Sequence, residues 1–407
     1  MSSPPQFSVF KTTKPQRKNI KACLRHFTWS WHSIVMGTGA ISSLLAHFHF
    51  HQPDSKALKI FTLLFFFLDL VFFVLICGAT IARYCIFPEL WSRMIEHPTQ
   101  SLFIGAFPMG AATLINNALT VHQTYHFAGR GFLYALWGFW WLDSVISLFT
   151  TVGMLYIIMT KQRHSLDQMS ALWLMPIATL VVASSTGGLL ASALIPVNER
   201  HAQLTTAISF TMLFMGLSLC LMVITVYLMR LMIHGPLDVN LIFSSFIILG
   251  PLGQGGFSFL VNSPNVKTLH LVPSLNVEAI QAVCFCIAWA LWSMGLIWLC
   301  ISLASVYGVV RQQSVPFALG YWGLIFPNAV FALLTVELGA ILESVVLNYL
   351  GTVFSGFVFL LWAFVFIRTI PAVWNTTLFY SPCVSKLDED TLALFANQAR
   401  FSGETQV

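Results

Sequence analysis

The sequence is poor in charge. It has 407 residues with 20 basic and 15 acidic side chains, so 9% are charged, whereas about a quarter are charged in an ordinary soluble domain. Because 57% of the residues are apolar, the composition excludes a soluble globular enzyme. A net charge of +5 would indicate nucleic-acid binding only if the basic residues clustered on a folded domain. Six of the 20 basic residues instead lie in the N-terminal tail, before residue 26.

Metal-ligating patterns are also lacking. The eight cysteines lie mostly inside apolar runs and at no spacing that zinc sites use, so we expect neither a metal nor a cofactor. Two histidine groups keep one alternative open, namely His47 with His49 and His51, and His122 with His126. Because an i, i+4 histidine pair is able to ligate zinc, a metal-dependent membrane enzyme is an alternative, as is a receptor without transport activity.

Long apolar runs are what the sequence has in abundance. Many exceed the roughly 18 to 20 residues that cross about 30 Å of hydrocarbon, and the mean hydropathy is +0.79. The lipid bilayer is therefore the expected solvent, and the fold class is an all-α polytopic membrane protein. The ten predicted transmembrane helices are 28–48, 58–84, 101–122, 131–159, 171–195, 202–232, 241–261, 278–309, 316–341 and 345–369.

The basic residues predict the orientation of these spans. Ten spans place both termini on one side, and that side carries 15 Lys and Arg against five on the other. By the positive-inside rule both termini are expected in the cytosol. The predicted organisation is a basic N-terminal tail over 1–27, a transmembrane transport domain over 28–369 and a cytosolic tail over 370–407, which is too short and polar to bury a core.

An internal repeat is visible in the odd-numbered spans, which carry Gly or Pro at intervals of 68 to 76 residues. The even spans carry polar residues at matching intervals, at Asp69, Asp143, Ser218 and Ser293. Five two-helix units explain both series. The odd-span interruptions are Met36-Gly37-Thr38-Gly39, Phe107-Pro108, Met175-Pro176, Gly250-Pro251 and Phe326-Pro327.

Interruptions of this kind predict a pore. Proline removes a backbone donor and frees carbonyl groups that hydrocarbon cannot satisfy, so each interruption must face protein or water. If the odd helices line a central path, backbone groups and helix ends meet ions there without fixed charges. The alternative is that Pro and Gly serve only as kinks and close-packing sites, which are common in membrane helices.

Four stretches carry a family resemblance, namely 31–43, 105–110 with Asn116 following, 140–143 and 173–180. They read Trp-His-Ser-Ile-Val-Met-Gly-Thr-Gly-Ala-Ile-Ser-Ser, Gly-Ala-Phe-Pro-Met-Gly, Trp-Trp-Leu-Asp and Trp-Leu-Met-Pro-Ile-Ala-Thr-Leu. From about residue 27 to 370 the chain resembles the tellurite-resistance/dicarboxylate transporter family, which has the slow-type anion channel fold. Within that family it is most similar to the fungal sulfite efflux pumps.

The resemblance implies a fold, a location and a gate. It implies ten helices with quasi-fivefold symmetry, odd helices lining a central pore, and a plasma-membrane homotrimer with one pore in each subunit. In that family a phenylalanine on the ninth helix commonly plugs the pore, and the match over 322–327 makes Phe326 the candidate gate. Phe107 precedes a proline as Phe326 does, so it is a second candidate constriction, with packing in the core as its alternative.

The candidate substrate path is formed by residues of the odd spans. It combines uncharged hydrogen-bond donors, the Gly and Pro residues of the interruptions, and a histidine at the cytosolic start of the first span. Helix packing, or an interfacial position for the histidine, is the alternative for each polar side chain. The path residues are His32, Gly37, Thr38, Gly39, Pro108, Asn116, Asn117, Pro176, Thr186, Gly250, Gln254 and Asn328.

Three carboxylates fall inside predicted spans, where charge is costly and suggests a function. Asp69 and Asp143 lie on even helices, so we expect them behind the pore lining, as hydrogen-bond acceptors or as proton-coupling groups. Glu337 lies in an odd span near the outer mouth, where it is expected to be paired or protonated.

The identity of the transported anion is predicted partly from the chemistry of the odd spans and partly from the family resemblance. No Lys or Arg falls in the middle of the odd spans, whereas a C4-dicarboxylate would favour bidentate Arg recognition. A small anion is therefore expected, and the resemblance selects sulfite or bisulfite efflux. A C4-dicarboxylate transporter for malate, or another small-anion channel of the same fold, is the alternative.

Overall fold

The computed structural model describes residues 18–48, 55–239, 241–271 and 276–385, and all regular structure within these ranges is helical. Most of both predicted tails, as well as His49 and His51, lie outside the described residues. The prediction of an all-α polytopic membrane protein is confirmed. The α-helices are α1 (Ile20–Arg25), α2 (His32–Ala46), α3 (Lys56–Ile86), α4 (Glu89–Glu96), α5 (Ala106–Tyr125), α6 (Gly129–Thr160), α7 (Met175–Leu194), α8 (Glu199–His234), α9 (Leu249–Thr268), α10 (Val277–Val310), α11 (Ile325–Ile341) and α12 (Val345–Trp374).

Nine helical stretches within the described ranges are long and apolar enough to cross a membrane. The first predicted span forms a shorter α-helix, since α2 has 15 residues and the residues before it form the 3₁₀ turn Trp29–Trp31. Two predicted ends are too early, since α9 continues to Thr268 and α12 to Trp374. The polar end of α9 stays helical because its side chains bond to a neighbouring helix, as Asn265 does to the Gly188 carbonyl oxygen at 2.8 Å.

The helices form an inner and an outer set. The inner helices are α2, α5, α7, α9 and α11, and each contacts the next, with α11 contacting α2 to close the ring. In the most apolar windows of the last four, 67 to 94% of the residues are buried, against 28 to 39% in the outer helices α3, α6, α8, α10 and α12. The outer helices therefore face lipid, and the inner helices form the core. The closed ring is the arrangement that five repeats predict, and exact fivefold symmetry stays a prediction.

A short 3₁₀ turn precedes every inner helix. These five turns contact one another in a second closed ring at the end of the molecule where the inner helices begin. The prolines expected to interrupt the spans lie in the first turn of the following α-helix, where a missing N–H costs no helical hydrogen bond. The four interruptions that contain a proline thus lie at a change from 3₁₀ to α geometry, whereas Gly37 and Gly39 lie within the continuous helix α2. The turns are Trp29–Trp31, Ser101–Gly105, Ala171–Leu174, Ile242–Ile248 and Leu319–Leu324.

Repeated hydrogen bonds join neighbouring inner helices and join outer helices to inner ones. The side-chain amide of Asn117 on α5 donates to the Gly39 carbonyl oxygen on α2 at 2.9 Å, and Asn265 makes the matching bond from α9 to α7. Tryptophan indoles on outer helices likewise donate to inner helices. These bonds run from Trp140 to the Ala183 carbonyl oxygen, from Trp292 to Thr335 Oγ1, and from Trp362 to Thr38 Oγ1, the last joining α12 to α2.

Candidate functional site

Two cavities lie in sequence along the axis of the inner ring. The lower cavity, next to the 3₁₀ turns, has a volume of about 60 Å³. The upper cavity begins about one helical turn further along the inner helices and has a volume of about 30 Å³. All five inner helices contribute side chains to both cavities. Together the cavities follow the axis of the ring.

The cavity linings follow the helical period. On α2 and its C-cap, Met36, Ala40, Ser43 and His47 line the cavities at positions i, i+4, i+7 and i+11, and Leu44 lines the upper cavity beside Ser43. The same spacing recurs on α5, and its first three positions recur on α9. One stripe of each of these helices therefore faces the axis. The stripe on α5 is Met109, Thr113, Asn116 and Thr120, and that on α9 is Gly250, Gln254 and Phe257.

Three residues line both cavities and so form the partition between them, namely Val182, Gln254 and Phe326. Phe326 is only 4% exposed, and it belongs to α11 directly before Pro327. The Gln254 side-chain amide donates a hydrogen bond to Ser185 Oγ, which fixes its direction across the partition. A bulky apolar ring and an anchored amide therefore both lie at the partition between the cavities.

The walls of both cavities contain no Lys, Arg, Asp or Glu among the residues that line them. Thr113 Oγ1 donates to the Gly110 carbonyl oxygen and Thr120 Oγ1 to that of Asn116, so these hydroxyl protons are already bonded. The side-chain amides of Asn116 and Gln254 remain as donors that an anion is able to meet. Neutral donors bind an ion weakly enough to let it leave, which conduction requires.

Of the predicted path and gate residues, four line the cavities: Asn116, Gly250, Gln254 and Phe326. The others are not among the lining residues, and their contacts lie within a helix or between neighbouring helices. Thr38 accepts the Trp362 bond behind the ring. Asn117 donates to the Gly39 carbonyl oxygen, as described above.

His32 and Phe107 lie together, away from the axis. The His32 Nε2 atom is 3.1 Å from Thr80 Oγ1 on α3, and the imidazole ring contacts the Phe107 ring at a centroid distance of 5.4 Å. Phe107 also stacks on Phe73 of α3 at 6.0 Å. Both side chains therefore pack α2 and α5 against α3.

The remaining predicted path residues also make contacts within or between helices. Gly37 lies against Ile325, where an added Cβ would come within 3.3 Å of the Ile325 side chain. Two side chains bond one turn back along the chain, since Thr186 Oγ1 donates to the Val182 carbonyl oxygen and Asn328 Nδ2 to that of Leu324. The Pro176 carbonyl oxygen accepts from Thr151 on α6, and Pro108 lies in the first turn of α5.

Asp69 and Asp143 are buried on α3 and α6, behind the inner ring, and their carboxyl oxygens make no hydrogen bond within the protein. Asp69 Oδ2 and Thr113 Oγ1 lie within 2.7 Å of the point that a Cβ atom on Gly39 would occupy. Asp69 therefore lies close to Thr113, which lines the upper cavity. Glu337 is half-buried on α11 and is not among the cavity-lining residues.

Sequence reasoning missed several lining residues. Three methionines line the lower cavity, and each directly adjoins the Gly or Pro of an interruption. They are Met36, Met109 and Met175. Ser43 and Thr113 line the upper cavity. Following each helix from its interruption in steps of i+4 and i+7 would have found these residues.

A third cavity of about 530 Å³ lies below the 3₁₀ ring and shares Phe103, Leu241, Phe243 and Gly320 with the lower cavity. We call it the vestibule. Part of its wall comes from the segment after α12, which includes Leu378 and Tyr380. The vestibule and the two cavities form one series of spaces along the axis.

In the described ranges, no group of three or more His, Cys, Asp or Glu side chains is arranged to hold a metal ion. His122 Nδ1 lies 2.6 Å from the Phe127 carbonyl oxygen, to which it donates. The His49 and His51 part of the other histidine group lies outside the described residues.

A closed ring of buried helices with a series of axial cavities is the architecture of a multi-pass membrane channel or transporter. The profile of the voltage-dependent anion channel family matches residues 26–370. The chain belongs to this family, the tellurite-resistance/dicarboxylate transporters, whose members are transporters or channels and not enzymes. It is therefore an anion transport protein of the membrane.

Curated relatives extend over most of the chain. A protein of Arthroderma otae named sulfite efflux pump is 32% identical over 365 residues, covering 88% of this chain and 93% of its own. A sulfite efflux pump of Saccharomyces cerevisiae is 23% identical, covering 83% of this chain and 85% of its own. The malic acid transport protein of Schizosaccharomyces pombe is 22% identical, covering 90% and 82%.

Proposed function

We propose that this protein exports sulfite, mainly as bisulfite, through the axis of the inner ring and that Phe326 is its gate. The observation that carries the proposal is the partition formed by Phe326, Gln254 and Val182 between two cavities on one axis. An aromatic ring at that point blocks the path until it moves. The neighbouring walls supply uncharged donors to a passing anion.

The choice of sulfite rests on the relatives and on the cavity walls. The relative at 32% identity is named a sulfite efflux pump, whereas the malic acid transporter is 22% identical. A dicarboxylate held at both ends favours arginine forks, and none lines either cavity. A C4-dicarboxylate such as malate is the second candidate, and the malic acid transport protein among the relatives supports it.

The driving force needs no second substrate. An inside-negative potential moves each anionic charge outward with about 2.3 kcal/mol per 100 mV. We further propose a plasma-membrane homotrimer with both termini in the cytosol. The excess of basic residues on the side of the termini supports this orientation, and it places the vestibule on the cytosolic side, where sulfite would enter.

The test is anion flux from proteoliposomes that contain the purified protein, at a potential fixed by a potassium gradient. Sulfite and malate are loaded separately, each with and without a pH gradient. We expect potential-driven sulfite efflux that does not require the pH gradient, and little malate efflux. Malate efflux equal to that of sulfite would favour the dicarboxylate transporter, and an absolute need for the pH gradient would favour proton coupling.

A further inference from the structure

Arg83 is a buried cation with unused hydrogen-bond donors. It lies near the end of α3, is 1% exposed, and its Nη1 donates to the Phe27 carbonyl oxygen. Its Nε and Nη2 atoms are buried and have no hydrogen-bond partner. The guanidinium carbon lies 5.2 Å from the centre of the Tyr84 ring, which satisfies none of these N–H groups. Leaving such donors unmatched is costly, so a missing acceptor is expected nearby.

Two more unused donors lie in the same region. Trp31 Nε1 and Ser381 Oγ are buried without a partner, and the two residues are 6% and 0% exposed. All of the unmatched groups carry a hydrogen to donate. This is the opposite of a site for a metal ion, which needs acceptors.

These donors belong to one cluster, which we call the terminal junction and define as Phe27, Trp31, Arg83, Phe379 and Ser381. The Phe27 ring stacks on Trp31 and the Trp31 ring on Phe379, each with centroids 5.0 Å apart. The Ser381 amide donates to the ring of His26, the residue before Phe27, at 3.3 Å. The cluster therefore joins the segment before α2, the end of α3 and the segment after α12.

Among the described residues, no carboxylate is found as an electrostatic partner of Arg83. The ionisable groups that act electrostatically on Arg83 are Tyr84 and Cys383. Lys18, in the same N-terminal segment, uses its ammonium to donate to the Phe379 carbonyl oxygen at 2.5 Å and adds a further positive charge. The junction is thus positive and rich in donors. A ligand that matches it must be negative and carry several acceptor oxygens.

We propose that the terminal junction binds a small oxyanion such as sulfite, sulfate or phosphate, held by Arg83 Nε and Nη2, Trp31 Nε1 and Ser381 Oγ. The site is separate from the axial cavities, and this proposal does not rest on the identity of the exported anion. Because Thr377, Leu378 and Tyr380 of the same segment line the vestibule, a bound oxyanion would fix that wall of the vestibule in place.

The experiment measures binding to the full chain in detergent, without a membrane or a transport assay. The unfolding temperature and the hydrogen exchange of residues 26–31 and 376–385 are followed as sulfite, sulfate, phosphate or chloride is added. We expect the oxyanions to raise the unfolding temperature and slow exchange in both segments at concentrations where chloride does not. A chloride effect equal to that of the oxyanions would overturn the proposal, because charge screening alone would explain it.

Three variants locate the site. Arg83→Lys keeps the charge and a donor to Phe27, Trp31→Phe keeps the ring stack without its N–H, and Ser381→Ala removes the hydroxyl. Each should weaken oxyanion binding, Arg83→Lys by about tenfold or more because charge-assisted bonds are lost. Arg311→Lys is the matched control, since Arg311 also packs on a tyrosine ring, at 4.9 Å, but is exposed. Unchanged binding in all three junction variants would overturn the assignment.

The comparison of the added anions also identifies the ligand of the terminal junction. Tighter binding of sulfite than of sulfate and phosphate would support the exported anion itself as the ligand, acting on the mouth of its own path. Equal binding of the three would support a general site for oxyanions of the cytosol. Absence of any oxyanion effect in the unmodified protein would refute the site.

Discussion

Phe326 and Phe107 both precede a proline, yet their rings face different surroundings. The Phe326 ring lies in the partition between the cavities, whereas the Phe107 ring packs against His32 and Phe73. The two residues are therefore a matched pair for separating gating from packing. Only the first should control passage.

We predict that Phe326→Ala raises anion flux, because removing the ring opens the partition, while the protein stays folded. Phe107→Ala should leave flux per folded molecule unchanged but cost roughly 3 kcal/mol of stability through the cavity it creates. Flux from proteoliposomes and thermal unfolding of both variants are the measurements. Equal flux of Phe326→Ala and the unmodified protein, at equal reconstitution, would contradict the gate.

Asp143 tests whether a buried carboxyl takes part in transport. Its oxygens make no hydrogen bond within the protein, so an amide of the same shape fits its site without losing a bond. We predict that Asp143→Asn keeps potential-driven flux, whereas Asp143→Ala lowers the unfolding temperature by leaving a void. If the asparagine variant folds but does not transport, a titrating carboxyl is required and proton coupling becomes the better explanation.

At the scale of the helix, the ring depends on close approach at small residues. A Cβ on Gly253 of α9 would come within 2.7 Å of the Phe331 backbone nitrogen on α11. The backbone cannot give way as a flexible side chain can, so the two helices would have to separate. Such glycines were visible in the sequence only as interruptions, and their partners come from the fold.

We predict that Gly253→Ala destabilises the protein by about 1–3 kcal/mol, the usual cost of overpacking. The control is Gly78→Ala on the outer helix α3, where nothing lies within 4 Å of the added Cβ. That variant should be neutral or slightly stabilising, because alanine favours helix over glycine by about 0.5–1 kcal/mol. Thermal unfolding in one detergent compares the two, and equal losses would contradict the proposed contact between α9 and α11.

The helices themselves were largely predictable. Hydrophobic runs located the spans, and the period of about 75 residues predicted the alternation of inner and outer helices that burial confirms. The 3₁₀ turns were not predictable, because the same Gly and Pro residues are compatible with a mid-helix kink. Helix α4 was missed since its eight residues are shorter than a span and lie between two of them.

The candidate site was only partly predictable, because an interruption gives the depth of a residue but not its direction. Thr38 was chosen for its hydroxyl, yet on α2 the axis is faced by Met36 and Ala40. At 3.6 residues per turn, a residue two positions from Met36 points to nearly the opposite side. Thr38 accordingly bonds to an outer helix. The side of a helix that faces the axis of the ring is set by how the repeats pack together. The amino-acid composition does not contain that information.

At the scale of the whole molecule, the proposed path leads an anion through two cavities whose lining residues include no Lys or Arg. The electrical drive grows in proportion to charge, at about 2.3 kcal/mol per 100 mV for a monoanion and about 4.6 for a dianion. The cost of removing water grows roughly with the square of the charge. In cavities of about 60 and 30 Å³ that no Lys or Arg lines, we expect the second effect to outweigh the first.

We therefore predict that the monoanion bisulfite, rather than the sulfite dianion, is the main form that passes. Near neutral pH both forms are present, and we expect the cost of desolvation at the Phe326 partition to select between them. The measurement is the reversal potential under a sulfite gradient with proton and chloride gradients held at zero. A value that corresponds to one charge per sulfur is expected. A value that corresponds to two charges would mean that unseen cations, or more water than these cavities hold, compensate the dianion in the path.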